Sequence, residues 1–145
     1  MIYLDTSCVV KCYLHEPGTE QVLAWLEGKT GLTCCLYGRL EFMAAVQRHV
    51  REQRLSPVDA RAVCRRLELD DRAGLWRWIS LTEALIRSAC QRLEALPPAL
   101  FLRAGDALHL TCALEHGFDV VYSHDQHLLR AAPAFGLQGV DILAP

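Results

Sequence analysis

No apolar run in the 145 residues approaches the roughly 18 to 20 needed to cross a bilayer as a helix, so a transmembrane segment is not expected. The first residues, Met1-Ile2-Tyr3-Leu4-Asp5, lack a basic region and meet a charge at the fifth position, unlike a secretory leader. A cytoplasmic protein is the expectation. Seven cysteines are an odd number and contain no CxxC pair, which argues against a disulfide framework or a zinc knuckle. Cys8, Cys12, Cys34 and Cys35 read instead as small buried hydrophobes. Lysine is nearly missing, with Lys11 and Lys29 alone, and the net charge is −2. Overall charge therefore cannot drive nucleic-acid binding, which would need a local basic patch or bound cations. Internal repeats and low-complexity segments are absent too.

What is present is ordinary for one packed domain: 52% apolar and 22% charged residues, enough to bury a core and too apolar for disorder. A single domain over 1–145 is expected. Ile2-Tyr3-Leu4 reads as a buried strand, a polar turn follows at Asp5-Thr6-Ser7, and Val9, Val10, Tyr13 and Leu14 recur at helical spacing. Pro17-Gly18-Thr19-Glu20 opens a second helix that gives way at Gly28, and Thr30 to Cys35 suits a strand. Two long helices fill 36 to 71, the second starting at Ser56-Pro57, an N-cap followed by proline at the first helical position. Leu75 to Leu81 predicts a third strand, and Thr82-Glu83-Ala84 opens a helix that Pro97-Pro98 cannot continue. A helix from Ala104 to His116 ends at Gly117, then come a strand at Val120 to Tyr122, a helix from Gln126 to Ala132, and a last strand at Val140-Asp141-Ile142. Alternating strands and helices predict an α/β three-layer sandwich with a mainly parallel central sheet flanked by helices. Ligands bind such sheets at the carboxyl ends of the strands.

Asp5 follows the first strand and Asp125 lies three residues beyond the Val120 to Tyr122 strand, so both face the same rim. Glu41 borders the apolar stripe of its helix, and Asp106 lies in the first turn of another. Carboxylates gathered in one cleft repel one another unless a hard divalent cation neutralises them, and oxygen-only ligands suit Mg2+ or Mn2+. Such an ion polarises phosphoryl oxygens and acidifies water, the chemistry of phosphodiester hydrolysis, which makes RNA or DNA the natural substrate class. Each acid also has a plainer role open to it. Asp5 and Asp125 could cap helices, Asp106 could answer a helix dipole, and Glu41 could pair with Arg48.

Tyr3-Leu4-Asp5-Thr6-Ser7, Glu41 within Leu40-Glu41-Phe42, the run Leu102 to Leu110 around Asp106, and Tyr122-Ser123-His124-Asp125 with Leu128 together resemble the motifs of PIN-domain ribonucleases, in particular VapC-like toxins of bacterial toxin–antitoxin pairs. The resemblance spans the chain in the family's order. It implies a PIN fold, Mg2+- or Mn2+-dependent endoribonuclease activity on RNA, and a cognate antitoxin that blocks the cleft. By motif match, Asp5 and Asp106 would be metal ligands, Glu41 and Asp125 would complete a catalytic quartet, and Thr6, Ser7 and Ser123 would support them from behind. The chain departs from the pattern at Ala104, where relatives carry Thr or Ser that could cap the helix, and at the cysteines of Thr33-Cys34-Cys35.

His109 shares a helix face with Asp106, yet an oxygen-ligand site has little use for imidazole, so a scaffold role is expected. His124 and His127 read as surface residues of a loop. Residues 48 to 66 hold six arginines against two acids, a local net charge of +4. Arg61, Arg65 and Arg66 are the RNA-binding candidates there, with a solvated helix face as the equal alternative. Val58, Val63 and Leu67 on the same helix suggest a surface for an antitoxin helix or for a homodimer partner. Other functions weighed are a non-catalytic RNA-binding or signalling module and a haloacid-dehalogenase-type phosphatase. The phosphatase needs a second aspartate where Ser7 stands and a well-placed lysine.

Overall fold

The computed structural model describes residues 1–144. Five strands, β1 (Ile2–Leu4), β2 (Leu32–Cys35), β3 (Trp76–Ile79), β4 (Val120–Tyr122) and β5 (Gln138–Val140), form one sheet. Their order is β3-β2-β1-β4-β5, with every pair parallel. Parallel pairing demands crossovers, and the helices supply them: α1 (Thr6–Lys11), α2 (Thr19–Leu26), α3 (Tyr37–Arg51), α4 (Pro57–Arg72), α5 (Glu83–Glu94), α6 (Ala104–Glu115) and α7 (Gln126–Ala131). A 3-10 turn at Ala132–Phe135, entered through Pro133, leads from α7 into β5.

Side chains alternate across each strand and so serve two cores. Tyr3, Cys35, Ile79 and Val121 face α5, α6 and α7, whereas Leu4, Cys34 and Trp76 face α1, α3 and α4. Phe42 and Val46 of α3 are fully buried against the second face, each contributing about 2 kcal/mol by burial and fixing which side of α3 turns inward. The three-layer sandwich expected from sequence is the observed architecture.

Three expectations need correction. The last strand runs over Gln138–Val140, two residues earlier than Val140-Asp141-Ile142. Its register is imposed by β4, with Gln138 opposite Val120 and Val140 opposite Tyr122, and the Asp141 carboxylate ends it by accepting from Leu143 N at 2.9 Å. Leu67 is buried against the sheet rather than offered to a partner, leaving Val58 exposed and Val63 partly so. Among the cysteines, Cys8, Cys34, Cys35 and Cys112 are buried, while Cys12 is only partly covered. No helix among the described residues is long and apolar enough to cross a membrane.

The chain runs outward from β1 through β2 to β3, then returns to the other side of β1 for β4 and β5. This reversal leaves a crevice at the carboxyl ends of β1 and β4, where no crossover helix can cover the sheet. Asp5 and Ser123 are the first residues beyond those two strands, and Asp5 N ties the strand ends together by donating to Tyr122 O at 3.0 Å.

Candidate active site

Asp5, Glu41, Asp106 and Asp125 all line one cavity of about 380 Å³ at that crevice. Asp5 caps α1: its Oδ1 accepts from Cys8 N at 3.3 Å and from Ser7 Oγ at 2.6 Å, and its Oδ2 accepts from Ser123 Oγ at 2.9 Å. The two serines also grip the loop after β4, Ser7 Oγ accepting from His124 N and Ser123 Oγ from Asp125 N, each at 2.8 Å. Burial raises the Asp5 carboxyl, opposed by the nearby His109 charge and these donors.

Glu41 lies one turn into α3. Its Oε2 accepts from Thr6 Oγ1 at 2.5 Å and from His109 Nε2 at 2.8 Å. Burial alone would raise this carboxyl, but the bond to His109 and its charge, joined by Thr6, outweigh burial and hold it below the usual glutamate range. His109 is fully enclosed, with Tyr3 Oη 3.0 Å from Nδ1. Burial opposes its charged form, yet Cys34 and Glu41 raise its pKa well above that of free histidine. It stands behind Glu41, in contact with its Oε2. Arg48 does not pair with Glu41.

Asp106 sits in the first turn of α6, where its Oδ2 accepts from Arg103 N at 3.4 Å and Arg103 Nε at 3.0 Å. Ala104 is the first helical residue rather than the cap, which is Arg103, and Asp106 reaches back to the Arg103 backbone N–H. Asp125 caps α7 through Oδ1, accepting from His127 N at 2.8 Å and Leu128 N at 3.3 Å, and its Oδ2 accepts from Arg103 Nη2. The capping roles and the shared cavity thus coexist in the same side chains. Thr6 donates to Glu41, and Ser7 and Ser123 donate to Asp5. Arg61, Arg65 and Arg66 are exposed on α4 and do not line this cavity.

Three charged residues of the cavity wall carried no role in the sequence reading: Lys11, Glu16 and Arg103. Lys11 lies four residues after Ser7, a spacing that puts both on one face of α1 and could have flagged it.

The donors a cation would meet here are oxygens, those of the four carboxylates with the hydroxyls of Thr6, Ser7 and Tyr37 beside them. Asp106 Oδ1 and Glu41 Oε1 accept no hydrogen bond among the described residues. No group of three or more His, Cys, Asp or Glu side chains among them is placed to hold a metal ion between its members. Free hard oxygens on an open cavity fit a cation that keeps much of its water, as Mg2+ does, rather than a caged structural metal.

A methyl group at Gly105 would come 2.9 Å from Glu41 Oε1 and 3.0 Å from the Tyr37 ring. Gly105→Ala is therefore expected to push the Glu41 carboxylate out of place. Helix propensity favours the change by about 1 kcal/mol, so the melting temperature should hold while any activity needing Glu41 falls about 10- to 100-fold. Parallel melting and turnover measurements check this.

The chain is 29% identical over 94% of its length, and 93% of the relative's, to Ribonuclease VapC47 of Mycobacterium tuberculosis. FitAcB from Neisseria gonorrhoeae superposes with a TM-score of 0.77 at 19% identity, covering all of both chains. A toxin–antitoxin complex from Klebsiella pneumoniae gives 0.60 at 16% identity, again covering both chains in full. These two structures speak for the fold, a parallel sheet of the same type. The PIN domain family model matches residues 2–133, almost the whole chain, so the acidic crevice between β1 and β4 belongs to a member of the PIN domain family.

Proposed function

We propose that this chain is a divalent-metal-dependent endoribonuclease, the toxin of a toxin–antitoxin pair, that hydrolyses RNA phosphodiester bonds. The observation that carries the reading is the convergence of Asp5, Glu41, Asp106 and Asp125 on one cavity at the switch point of the sheet. The 29%-identical relative is a named ribonuclease, which supports that activity, and a solved toxin–antitoxin complex with the same fold supports a protein partner. Asp5 and Asp106 would hold Mg2+ or Mn2+. Bound there, the cation supplies Lewis acidity to a phosphoryl oxygen and a more acidic water.

The chain's own groups do the rest. Glu41, its Oε2 fixed by His109 and Thr6, presents Oε1 as an acceptor for an O–H of the attacking water. The water oxygen bonds to phosphorus and gives a proton to Glu41 Oε1 as the P–O bond to the leaving ribose oxygen breaks, and that oxygen takes up a proton from solvent water. Asp125 faces the same space from the start of α7, and Arg103 between it and Asp106 offsets part of their mutual repulsion.

Arg61, Arg65 and Arg66 act, in this proposal, as an outer guide for RNA through long-range attraction that salt screens. Val63 lines an apolar groove of about 860 Å³ between α2, α4 and β3, with Tyr13 and Trp76 in its wall, which supports the docking of an antitoxin segment. Exposed Leu36, just before α3, and exposed Leu40 and Met43 on that helix support a homodimer contact, which light scattering of the purified chain would register.

The test is cleavage of cellular RNA by purified protein in Mn2+, in Mg2+ and in chelator, with Asp5→Asn alongside. Discrete fragments that need metal and vanish in the variant are expected. Cleavage in chelator, or by Asp5→Asn at the wild-type rate, would overturn the reading.

A further inference from the structure

We infer that the seam between the last turns of α1 and α3, carrying Lys11 and Arg48, binds the RNA backbone phosphate next to the one attacked. This rests on the reading of the chain as an RNA nuclease.

α1 and α3 follow adjacent parallel strands, pack side by side, and both begin at the carboxyl edge of the sheet. Asp5 caps the first and Glu41 lies one turn into the second, so the acids mark the starts of both helices. Lys11 ends α1, and Arg48 lies seven residues beyond Glu41, about 10 Å along the axis at 1.5 Å per residue. Glu41, Ala45 and Arg48 share a helix face, as do Ser7 and Lys11, and all five line the cavity. The cavity is thus a trough that is acidic at one end and basic at the other.

The basic end has spare donors. The Lys11 side chain is only 7% exposed, and Glu16 Oε2, at 3.2 Å, is the one acceptor its ammonium meets among the described residues, although the group can donate three bonds. Glu16 Oε1 is 4.0 Å from Arg48 Nη2 and 3.2 Å from His49 Nε2, off the hydrogen-bonding direction in the second case, so that nitrogen has no partner. Two cations around one carboxylate leave a net positive charge on a cavity wall. A phosphate oxygen supplies the acceptors this wall lacks, and its place two turns from the carboxylates is within reach of a neighbouring phosphate of an extended strand. The alternative use of these cations, answering the carbonyl ends of α1 and α3, would stabilise the fold without touching RNA.

Anisotropy of a fluorescein-labelled single-stranded RNA 12-mer, titrated with the full chain in EDTA over a range of KCl concentrations, separates these uses. Arg48 is half-exposed, so its variants should fold. Arg48→Ala is expected to weaken binding about fivefold and to flatten the plot of log affinity against log salt by about 0.7, one phosphate contact on a single strand. Arg48→Lys should restore the slope, and Arg87→Ala, on distant α5, should leave it alone. Lys11→Gln, if it folds, should flatten the slope similarly. With Mn2+, Arg48→Ala should raise KM for the same RNA more than it lowers kcat. A wild-type slope in Arg48→Ala overturns the subsite. If the wild-type chain still cleaves the RNA in that case, the nuclease reading stands; if it neither binds nor cleaves RNA, both fall.

Discussion

Asp106→Asn is expected to abolish metal-dependent RNA cleavage, lowering it at least about a hundredfold, while the protein melts within a few degrees of the wild type. The loss follows from charge. Asn keeps the shape and can still accept the bonds from Arg103 N and Nε that organise the start of α6, but it removes the negative charge beside the free Oδ1. Mg2+ depends on one or two carboxylates for its hold on a protein, so losing one charge there should cost most of the affinity. Calorimetric titration with Mn2+ should show binding weakened in step with turnover. Unchanged Mn2+ affinity would remove Asp106 from the ligand set.

His109→Leu should have the largest effect on stability. Its ring has 2% exposure and is bonded to Tyr3, Thr6 and Glu41, which link β1, α1, α3 and α6. Leucine fills much of the volume but leaves the buried Tyr3 hydroxyl short of a partner and Glu41 without its charge. Breaking one side of a largely buried pair costs about 3–5 kcal/mol, or about 10 °C in melting temperature for a chain of this size. The loss should depend on pH with a definite sign. The pKa of His109 is higher in the folded state than in the unfolded one, so its contribution is complete below the ordinary histidine pKa and fades as pH rises through the folded value. The Glu41 pKa is lowered by folding, so its part is complete above the ordinary glutamate pKa and fades as pH falls through the folded value. The gap in melting temperature between wild type and His109→Leu should therefore be widest between those two limits and narrow at alkaline pH. A gap that widened on the alkaline side would mean that His109 is neutral in the fold.

The strands next to the site were legible because their signals are local. Val120 to Tyr122 is an apolar run with a polar residue on either side, and the structure keeps those bounds. β5 was misplaced because its signal is not local. Gln138 and Gly139 carry no strand preference of their own and are extended because β4 offers them partners. The acids were found through motif spacing, which marks residues at strand ends and first helical turns. Lys11, Glu16 and Arg103 were passed over because a lone charge in sequence looks like solvated surface. It takes the packing of α1 against α3, and of the loop before α6 against the start of α7, to bring them to the cavity, Lys11 and Glu16 in its wall and Arg103 at its exposed rim. The α4 arginines were the converse case, conspicuous in sequence yet away from the carboxylates.

That Asp5 and Asp125 are also the first hydrogen-bond acceptors of α1 and α7 decides how an inactive form of this protein should be made. Alanine at either position deletes a helix cap along with the charge, at about 1 kcal/mol, so a dead alanine variant would confound lost chemistry with a loosened α1 or α7 and a slackened loop after β4. Asparagine caps about as well as aspartate. An Asn-substituted chain is the form to produce in quantity for trapping RNA or a protein partner, because it keeps the helix cap and loses only the acceptor that Ser123 Oγ meets at Asp5 or Arg103 at Asp125.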